Sequence, residues 1–189
     1  MKSGNHHAVT APRQEKATHH VHKLVASRSV GCMVITCSDT RTPETDTGGA
    51  LIMRSLKERG HTVVSYHLVK DEPAVIRRLV KQGAKDRKIQ AIIVTGGTGI
   101  SRRDSTFEAI DGLLEKRLDG FGEIFRYLSF KDIGSAAIMS RATAGLYKDT
   151  IIISIPGSEK AVLLAMDQLI LNELGHVVRE MTKSKAWLL

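Results

Sequence analysis

The chain has only two cysteines, Cys32 and Cys37, among its 189 residues. Both fall in one predicted strand at an odd spacing, so they point to opposite faces of it, and their Cα atoms lie about 16 Å apart. That separation is too long for a disulfide bond. We therefore expect two reduced core thiols, as in a reducing compartment. A C-x-x-C metal or redox motif is absent as well.

The sequence also lacks an apolar run of membrane-spanning length. Its start is polar and histidine-rich, without the apolar core of a signal peptide. We therefore expect a cytoplasmic protein with no membrane partner. A hydrophobic content of 42% and a charged content of 25% are ordinary for a soluble globular protein. The length is that of one domain with a substantial core.

Half of the net charge of +8 lies in residues 1–29, which hold five basic residues and one acidic residue. This segment also carries five of the eight histidines and has no hydrophobic periodicity, so we predict a disordered or loosely docked tail. It lacks aromatic residues for base stacking and is not dense in arginine, so a solvated extension is favoured over nucleic-acid binding. Residues 30–189 are predicted to form a single α/β domain.

Strand and helix signals alternate from residue 30 onward. The predicted strands are 30–37, 62–69, 90–94, 142–147 and 150–155. The predicted helices are 49–59, one that begins around the Asp71-Glu72-Pro73 start signal, 106–114, one that follows the turn at 120–123, 159–171 and 176–183. This order predicts a three-layer α/β/α fold with a mainly parallel central sheet and an antiparallel edge hairpin.

The most informative stretch runs from Thr95 to Thr106 and follows a short apolar strand. Three glycines in four positions, Gly96 to Gly99, allow the backbone to approach a ligand and to turn its N–H groups toward an anion. A predicted helix start follows and adds partial positive charge. Arg102 and Arg103 could pair with phosphate or form a solvated surface pair; we favour Arg103 for the phosphate and assign Arg102 no role. Asp104 can hold Mg²⁺ against the phosphate. The stretch therefore indicates a small molecule that carries phosphate.

Polar residues follow four of the predicted strands, at their carboxyl ends. In an open α/β sheet these ends share one edge, where ligands bind at a topological switch point. We therefore expect these residues to converge on one site. They are Ser38, Asp39, Asp71, Gly96, Gly97, Thr98, Gly99, Asp104, Pro156, Gly157 and Ser158.

Common glycine-rich motifs do not fit this loop. The dinucleotide fingerprint G-x-G-x-x-G fails because Arg102 stands at the third glycine position, and because the loop follows the third strand rather than an early one. The nucleotide P-loop fails because no Gly-Lys-Ser/Thr ends the loop. A G-x-S-x-G nucleophile elbow is absent. The glycine loop by itself thus excludes familiar site classes without naming one.

Six short segments in order resemble the MoaB/MogA family of molybdenum-cofactor biosynthesis proteins. They are Thr36-Cys37-Ser38-Asp39, Thr95-Gly96-Gly97-Thr98-Gly99, Arg103-Asp104, Gly120-Phe121-Gly122-Glu123, Ser140-Arg141 and Pro156-Gly157-Ser158. The similarity runs from about residue 30 to 183, and the T-G-G-T-G loop followed by R-D is its most specific part. Residues 120–135, with Arg126 and the Asp132-Ile133-Gly134 turn, resemble the MoaB branch more closely.

This resemblance implies a three-layer α/β/α fold and a homotrimer, or a hexamer made of two trimers. It also implies binding of molybdopterin, a pterin with a dithiolene and a terminal phosphate. MogA-type proteins and some MoaB proteins use Mg-ATP to adenylylate that phosphate and release pyrophosphate. Other MoaB proteins are inactive or redundant versions. The expected function is therefore a molybdopterin adenylyltransferase, with a non-catalytic molybdopterin-binding protein as the alternative.

The resemblance also assigns roles to individual residues. Asp71 and Asp104 are expected to hold Mg²⁺, the amides of Gly96, Gly97, Thr98 and Gly99 to cradle a phosphate, and Arg103 to stabilise the transferring group. The residues expected to contact or border the pterin are Ser38, Asp39, Glu123, Ser140, Arg141, Pro156, Gly157 and Ser158.

Structural roles are alternatives for three of these acidic residues. Asp71 and Asp104 each precede a predicted helix, so either could be a helix cap instead of a ligand. Glu123 is equally well explained as an acid in the first turn of its helix. A third function, nucleic-acid binding by the basic tail, has little support in the sequence.

Overall fold

The computed structural model describes residues 29–183 of the chain. The predicted tail therefore lies outside the described residues, apart from Ser29. The six strands are β1 (Gly31–Cys37), β2 (Thr62–Val69), β3 (Ala91–Thr95), β4 (Lys116–Arg117), β5 (Thr143–Tyr147) and β6 (Thr150–Ile155). The helices are α1 (Thr47–Glu58), α2 (Pro73–Gly83), α3 (Thr106–Asp111), α4 (Asp119–Ile133) and α5 (Glu159–Lys183).

The strands form one sheet in the order β2-β1-β3-β6-β5-β4. The first four pair in parallel, and β5 is antiparallel to both β6 and β4. The predicted hairpin is thus confirmed, with its turn at Lys148-Asp149. The chain moves from β1 outward to β2 and then returns to place β3 on the other side of β1. The carboxyl ends of β1 and β3 therefore flank the topological switch point, where a ligand cleft is expected.

Two hydrophobic layers pack against the sheet and make the three-layer fold. Alternate residues of β1 divide between them: Cys32 lies in one layer and Cys37 in the other. The helices α1, α4 and α5 cover the first face, with Phe125 fully buried at its centre. The helices α2 and α3 cover the second face. Central strand β3 is buried along its whole length, as expected between two helical layers.

The last helix differs from the prediction. We predicted separate helices at 159–171 and 176–183, but the chain is continuously helical over Glu159–Lys183, with a π-helical turn at Met166–Ile170. Gly175 costs about 1 kcal/mol in a helix, and the buried side chains of Leu174 and Val178 continue the apolar stripe across it. This helix is long and apolar enough to cross a membrane by length and composition alone. Its buried residues nevertheless pack on the sheet, so it is a core helix.

Other boundaries also shift. Residues 120–123, predicted to precede a helix, form the first turns of α4 instead. Helix α3 ends at Asp111, earlier than the predicted 114. The two-residue strand β4 and a 3₁₀ helix at Gly134–Met139 had no sequence signal that we recognised. The 3₁₀ segment matters for the site because Met139 and Ser140 form one wall of the cleft.

Candidate functional site

A cleft of about 470 Å³ opens at the carboxyl ends of β1, β3 and β6. Nine of the predicted site residues line it: Ser38, Gly96, Gly97, Thr98, Gly99, Asp104, Ser140, Pro156 and Gly157. Four further residues line it that were not predicted: Cys37, Thr40, Arg41 and Met139. The remaining predicted residues, Asp39, Asp71, Arg103, Glu123, Arg141 and Ser158, lie outside this lining.

Asp71 lies directly behind the glycine loop. Its side chain is buried, and a Cβ atom on Gly97 would overlap its Oδ2 atom. The carboxylate accepts hydrogen bonds from the Ser105 amide at 3.2 Å, from the Ser105 hydroxyl at 2.9 Å and from the Thr106 hydroxyl at 3.0 Å. Three of its roughly four lone-pair sites are therefore occupied. Asp71 thus ties the end of β2 to the start of α3.

Asp104 lies beside the same loop, against Gly99, whereas Asp71 lies against Gly97. A Cβ atom on Gly99 would overlap its Oδ2 atom, which accepts a hydrogen bond from the Ser101 amide at 3.0 Å. The Oδ1 atom accepts no hydrogen bond from the described residues. The Asp104 side chain is half-buried and lines the cleft. Both predicted acids therefore contact the glycine loop, and Asp104 is the one with an oxygen free for a ligand.

The capping alternative is wrong for both acids. Helix α2 has Glu72 at its N-cap position and α3 has Ser105, and neither helix has a side-chain capping hydrogen bond. Neither acid caps the helix that follows it in sequence: Asp104 accepts from the Ser101 amide, and Asp71 binds the start of α3 rather than that of α2.

The backbone of the glycine loop is only partly available to an anion. The Gly96 amide donates to the Ile155 carbonyl at 3.2 Å, so the prediction that all four loop amides cradle phosphate is wrong for Gly96. Within residues 29–183, the amides of Gly97, Thr98 and Gly99 donate to no other group. Gly96 and Gly97 have φ angles of +101° and +56°, which glycine adopts without the strain that a side chain would add.

Two contacts fix which way these amides point. The Gly97 carbonyl accepts from the Thr106 amide at 3.0 Å, and the Thr98 carbonyl accepts from Arg141 Nε at 2.8 Å. In a trans peptide the N–H points opposite to the C=O. The amides of Thr98 and Gly99 are therefore turned away from these partners and left for a ligand.

Arg141 holds the loop rather than the cleft interior. Besides the Thr98 carbonyl, its guanidinium donates to the Gly99 carbonyl and pairs with Glu108. The plane also stacks over the Phe107 ring, 4.9 Å from its centroid. Arg141 does not line the cleft, and three of its five N–H groups are engaged with the protein, so its predicted contact with the pterin stays a prediction. Its visible role is to orient the glycine loop.

Arg103 is likewise engaged outside the cleft. Its Nε and Nη2 atoms donate to both oxygens of Asp39 at 2.6 and 2.9 Å, and Nη2 donates to Glu72 at 3.1 Å. The hydrogen bonds from Arg103 lower the pKa of Asp39 below its ordinary value. Asp39 also accepts from the Asp71 amide. This exposed cluster links the loops after β1, β2 and β3 at the cleft edge. The guanidinium of Arg103, which we predicted to stabilise the transferring group, is paired with two carboxylates instead.

The two remaining predicted residues differ in position. Ser158 is the N-cap of α5, and its hydroxyl accepts from the Ala161 amide at 3.3 Å. Glu123 is exposed on α4 and lines neither of the pockets described here. A second pocket of about 270 Å³ shares Ser140 and Pro156 with the cleft. Its other lining residues are Ser129, Asp132, Ile133, Ser158, Glu159, Lys160, Ala161 and Leu164.

A buried network that sequence reasoning missed supports the cleft wall. Asp46, only 2% exposed, accepts from the Tyr66 hydroxyl at 2.5 Å and the Gly49 amide at 3.0 Å, and it pairs with Arg41 at 3.2 Å. Burial raises the pKa of Asp46, but hydrogen bonds and the Arg41 charge outweigh burial and lower it overall. Burial and the same hydrogen bond raise the pKa of Tyr66 to about 12. Asp46 is the N-cap of α1, and an aspartate just before a predicted helix is a sequence signal that could have identified it.

No group of three or more His, Cys, Asp or Glu side chains within residues 29–183 is arranged to hold a metal ion. Mg²⁺ does not need such a cage, since it is commonly held by one or two carboxylates together with substrate phosphates. Asp104, which lines the cleft and whose Oδ1 accepts no hydrogen bond from the described residues, fits that donor set. Asp71 fits less well as a direct ligand, because donors already occupy most of its lone pairs.

Comparison with known proteins identifies the class. Residues 33–176 match the family model described as "Probable molybdopterin binding domain". That match covers most of the chain, so the chain belongs to the MoaB/MogA family of molybdenum-cofactor biosynthesis proteins.

Individual relatives agree with this assignment. Molybdenum cofactor biosynthesis protein B of Bacillus subtilis is 54% identical over 165 residues, which cover 87% of this chain and 97% of that protein. The same-named protein of Staphylococcus carnosus is 47% identical over 159 residues, or 82% and 93% of the two chains.

Solved structures show the same fold. A crystal structure of a molybdenum cofactor biosynthesis protein B superposes with a TM-score of 0.81 at 46% identity, over 83% of this chain and 98% of that one. The tungsten cofactor synthesizing protein MoaB from Pyrococcus furiosus superposes with a TM-score of 0.73 at 32% identity, over 82% and 99%.

Proposed function

We propose that this protein binds molybdopterin and transfers AMP to its terminal phosphate from Mg-ATP. A phosphate oxygen of the pterin attacks the α-phosphorus of ATP and forms a new P–O bond. The bond between the α-phosphorus and the bridging oxygen to the β-phosphorus breaks, and pyrophosphate leaves with the electron pair. The products are adenylylated molybdopterin and pyrophosphate. Such a transfer depends on positioning and charge neutralisation more than on covalent chemistry by the protein.

The observation that carries the proposal is the pairing of free amides with a free carboxylate oxygen in one cleft. The amides of Gly97, Thr98 and Gly99 donate to no described group, and Asp104 Oδ1 lies next to Gly99, 3.2 Å from where a Cβ atom on that residue would stand. Thr98 is buried, Gly97 is half-buried and Gly99 is exposed, so successive unpaired N–H groups line a cleft, an arrangement that suits an anion. A carboxylate next to an anion site suits a divalent cation between the two.

The protein groups then divide the task. The loop amides hold a phosphate, and Asp104, with Asp71 behind it, would hold Mg²⁺. The ion would supply positive charge against the phosphates there. Asp71 keeps the loop and α3 in register through Ser105 and Thr106. Arg141 fixes the direction of the amides by holding the loop carbonyls.

The second pocket offers a place for a ring system next to the phosphates. It shares the Ser140 and Pro156 walls with the cleft, so a molecule could occupy both at once. The polar residues Ser129, Asp132 and Glu159 are among those that line it. A pterin ring carries paired donors and acceptors, which these groups could match. We place the pterin ring in this pocket and retain the predicted contacts from Ser140, Pro156 and Ser158.

The decisive experiment is incubation with molybdopterin, Mg²⁺ and ATP, followed by detection of the adenylylated pterin. The expected product forms with the wild-type protein and requires Mg²⁺. Asp104→Asn should lower turnover by about a hundredfold or more, because the metal ligand is lost. Arg102→Gln is the matched control, since it changes charge on the same loop outside the cleft lining. Wild-type turnover in Asp104→Asn would contradict the metal assignment.

A second candidate is a molybdopterin-binding protein without catalysis. The hydrogen bonds that engage both oxygens of Asp71 favour it, because Asp104 is then the one predicted metal ligand among residues 29–183 with an oxygen free. It predicts molybdopterin binding that survives Asp104→Asn, and no adenylylated product from any variant. The same incubation, followed by a binding measurement on each variant, separates the two functions.

We also propose a homo-oligomer, either a trimer or a dimer of trimers, formed through α4. This helix exposes Ile124, Tyr127, Phe130 and Ile133 at intervals of three residues, each 47–59% exposed. Such a stripe is typical of a surface that another chain covers. Light scattering should give a multiple of the chain mass, and Tyr127→Glu should reduce it. Because the proposed reaction uses ATP, we place the protein in the cytoplasm.

A further inference from the structure

One cationic side chain, that of Arg41, lines the cleft among the described residues. Arg103 is bound by Asp39 and Glu72 at the cleft edge, and Arg141 is bound by the loop carbonyls and Glu108. Among the described residues, Arg41 is thus the one arginine or lysine that lines a site proposed to receive phosphates, and it is not one of the two that the sequence favoured.

Arg41 is held in place but keeps donors free. Its Nη1 atom pairs with Asp46 Oδ1 at 3.2 Å, and its Nη2 atom donates to the Gly157 carbonyl at 2.8 Å. A guanidinium has five N–H groups, so three remain for a ligand. The side chain is 26% exposed, which leaves it reachable from the cleft. Gly48 provides the space, since a Cβ atom there would lie 3.2 Å from Nη1.

The support behind Arg41 is rigid. Asp46 is fixed by the Gly49 amide and the Tyr66 hydroxyl, so its carboxylate cannot follow a moving arginine. Gly157, the second anchor, packs against the glycine loop: a Cβ atom on it would lie 2.9 Å from the Gly96 Cα atom. Arg41 is therefore anchored to the wall that adjoins the unpaired loop amides.

We propose that Arg41 is the phosphate-binding cation of the cleft, and that Asp46 and Tyr66 are the residues that position it. Its free N–H groups contact oxygens of a phosphate that the amides of Gly97 to Gly99 hold from the other side. A planar guanidinium suits this role, because two parallel N–H groups match two phosphate oxygens. The inference rests on the proposed function for the identity of the anion, but not for the anion site itself.

Binding of pyrophosphate and of Mg-ATP, measured by calorimetry on the full chain, tests the inference. Arg41→Gln should weaken both by about tenfold or more, because charge-assisted hydrogen bonds are lost. Arg41→Lys should recover only part of the loss, since an ammonium lacks the paired donors. Arg102→Gln makes the same charge change on the exposed surface and should alter binding by less than about twofold.

Kinetics separate a direct role from a structural one. Tyr66→Phe removes one anchor of Asp46 and should raise KM for ATP while kcat changes little. Added guanidinium ion should restore turnover to Arg41→Gly, which a merely misfolded variant would not show. Unchanged pyrophosphate binding in Arg41→Gln, or an equal loss in Arg102→Gln, would overturn the inference.

The outcomes also separate this inference from the proposed function. A wild-type protein that binds pyrophosphate through Arg41 but makes no adenylylated pterin would refute the transferase and leave the inference standing. Wild-type turnover in Arg41→Gln would refute the role of Arg41 and leave the transferase proposal standing.

Discussion

A single methyl group on Gly97 tests the geometry of the site most directly. A Cβ atom there would overlap both Asp71 Oδ2 and Thr106 Oγ1, and the residue has a φ angle of +56°. The Asp71 carboxylate cannot simply rotate away, because three hydrogen bonds from Ser105 and Thr106 hold it in place. We therefore predict that Gly97→Ala is strongly destabilising.

The magnitude follows from two contributions. A left-handed conformation costs a residue with a Cβ atom about 1–2 kcal/mol. Displacing Asp71 from its donors costs about 1.5–3 kcal/mol, the range for a hydrogen bond to a charged group. The expected loss in free energy of unfolding is therefore about 4 kcal/mol, or about 8–16 °C in Tm for a chain of this size.

Gly99→Ala is the matched control on the same loop. Its Cβ atom would overlap only Asp104, a half-buried side chain whose tip can turn aside at the cost of one exposed hydrogen bond, about 1 kcal/mol. Both variants should lose turnover, because each displaces a carboxylate from the loop. Urea unfolding at one fixed protein concentration measures both losses. The reasoning is refuted if Gly97→Ala unfolds within about 1 kcal/mol of wild type, or if Gly99→Ala proves the more damaging.

Three further predictions concern the rest of the fold. Asp46→Asn should lower the free energy of unfolding by about 1–2 kcal/mol at neutral pH, because the charge that pairs with Arg41 is lost. Since the pKa of Asp46 is lowered in the folded state, this stabilisation is present above about pH 3.8 and declines below it, so urea curves for the two proteins should converge in acid. Burial raises the pKa of Cys32 and Cys37 to about 12, so a thiol reagent at pH 8 should label neither until urea unfolds the chain. Phe125→Ala should cost about 3–5 kcal/mol in chemical denaturation, because it empties a fully buried site, and a loss under 1 kcal/mol would contradict the core described here.

The architecture was predictable because its strongest signals are periodic. Buried strands read as short apolar runs, and α2 begins with a proline at its start, a known helix signal. The break that we predicted in α5 was wrong, because tertiary burial of Leu174 and Val178 outweighs the weak helix propensity of one glycine. We missed strand β4 because a strand of two residues is too short to show the alternation of apolar and polar residues that identifies a strand.

The candidate site was predictable to the level of the loop but not of its contacts. Residues after parallel strands converge by topology, and this brought Ser38, the glycine loop and Pro156 into one cleft. The direction of a long side chain depends on partners distant in sequence. Arg103 and Arg141 look available in the sequence but lie outside the cleft lining. Arg41 reads as an ordinary loop residue, yet it is the one arginine among the described residues that lines the cleft, although a carboxylate and a carbonyl hold it as well.

The close packing of Gly157 on Gly96 has a consequence for how ligands would bind. The Gly96 amide also donates to the Ile155 carbonyl. The loops after β3 and β6 are therefore joined by a backbone hydrogen bond and by direct backbone packing. Two walls joined in this way move as one body, and neither has to become ordered when a ligand arrives. Little conformational entropy is then lost on association, and affinity comes from preorganisation rather than from closure around the ligand.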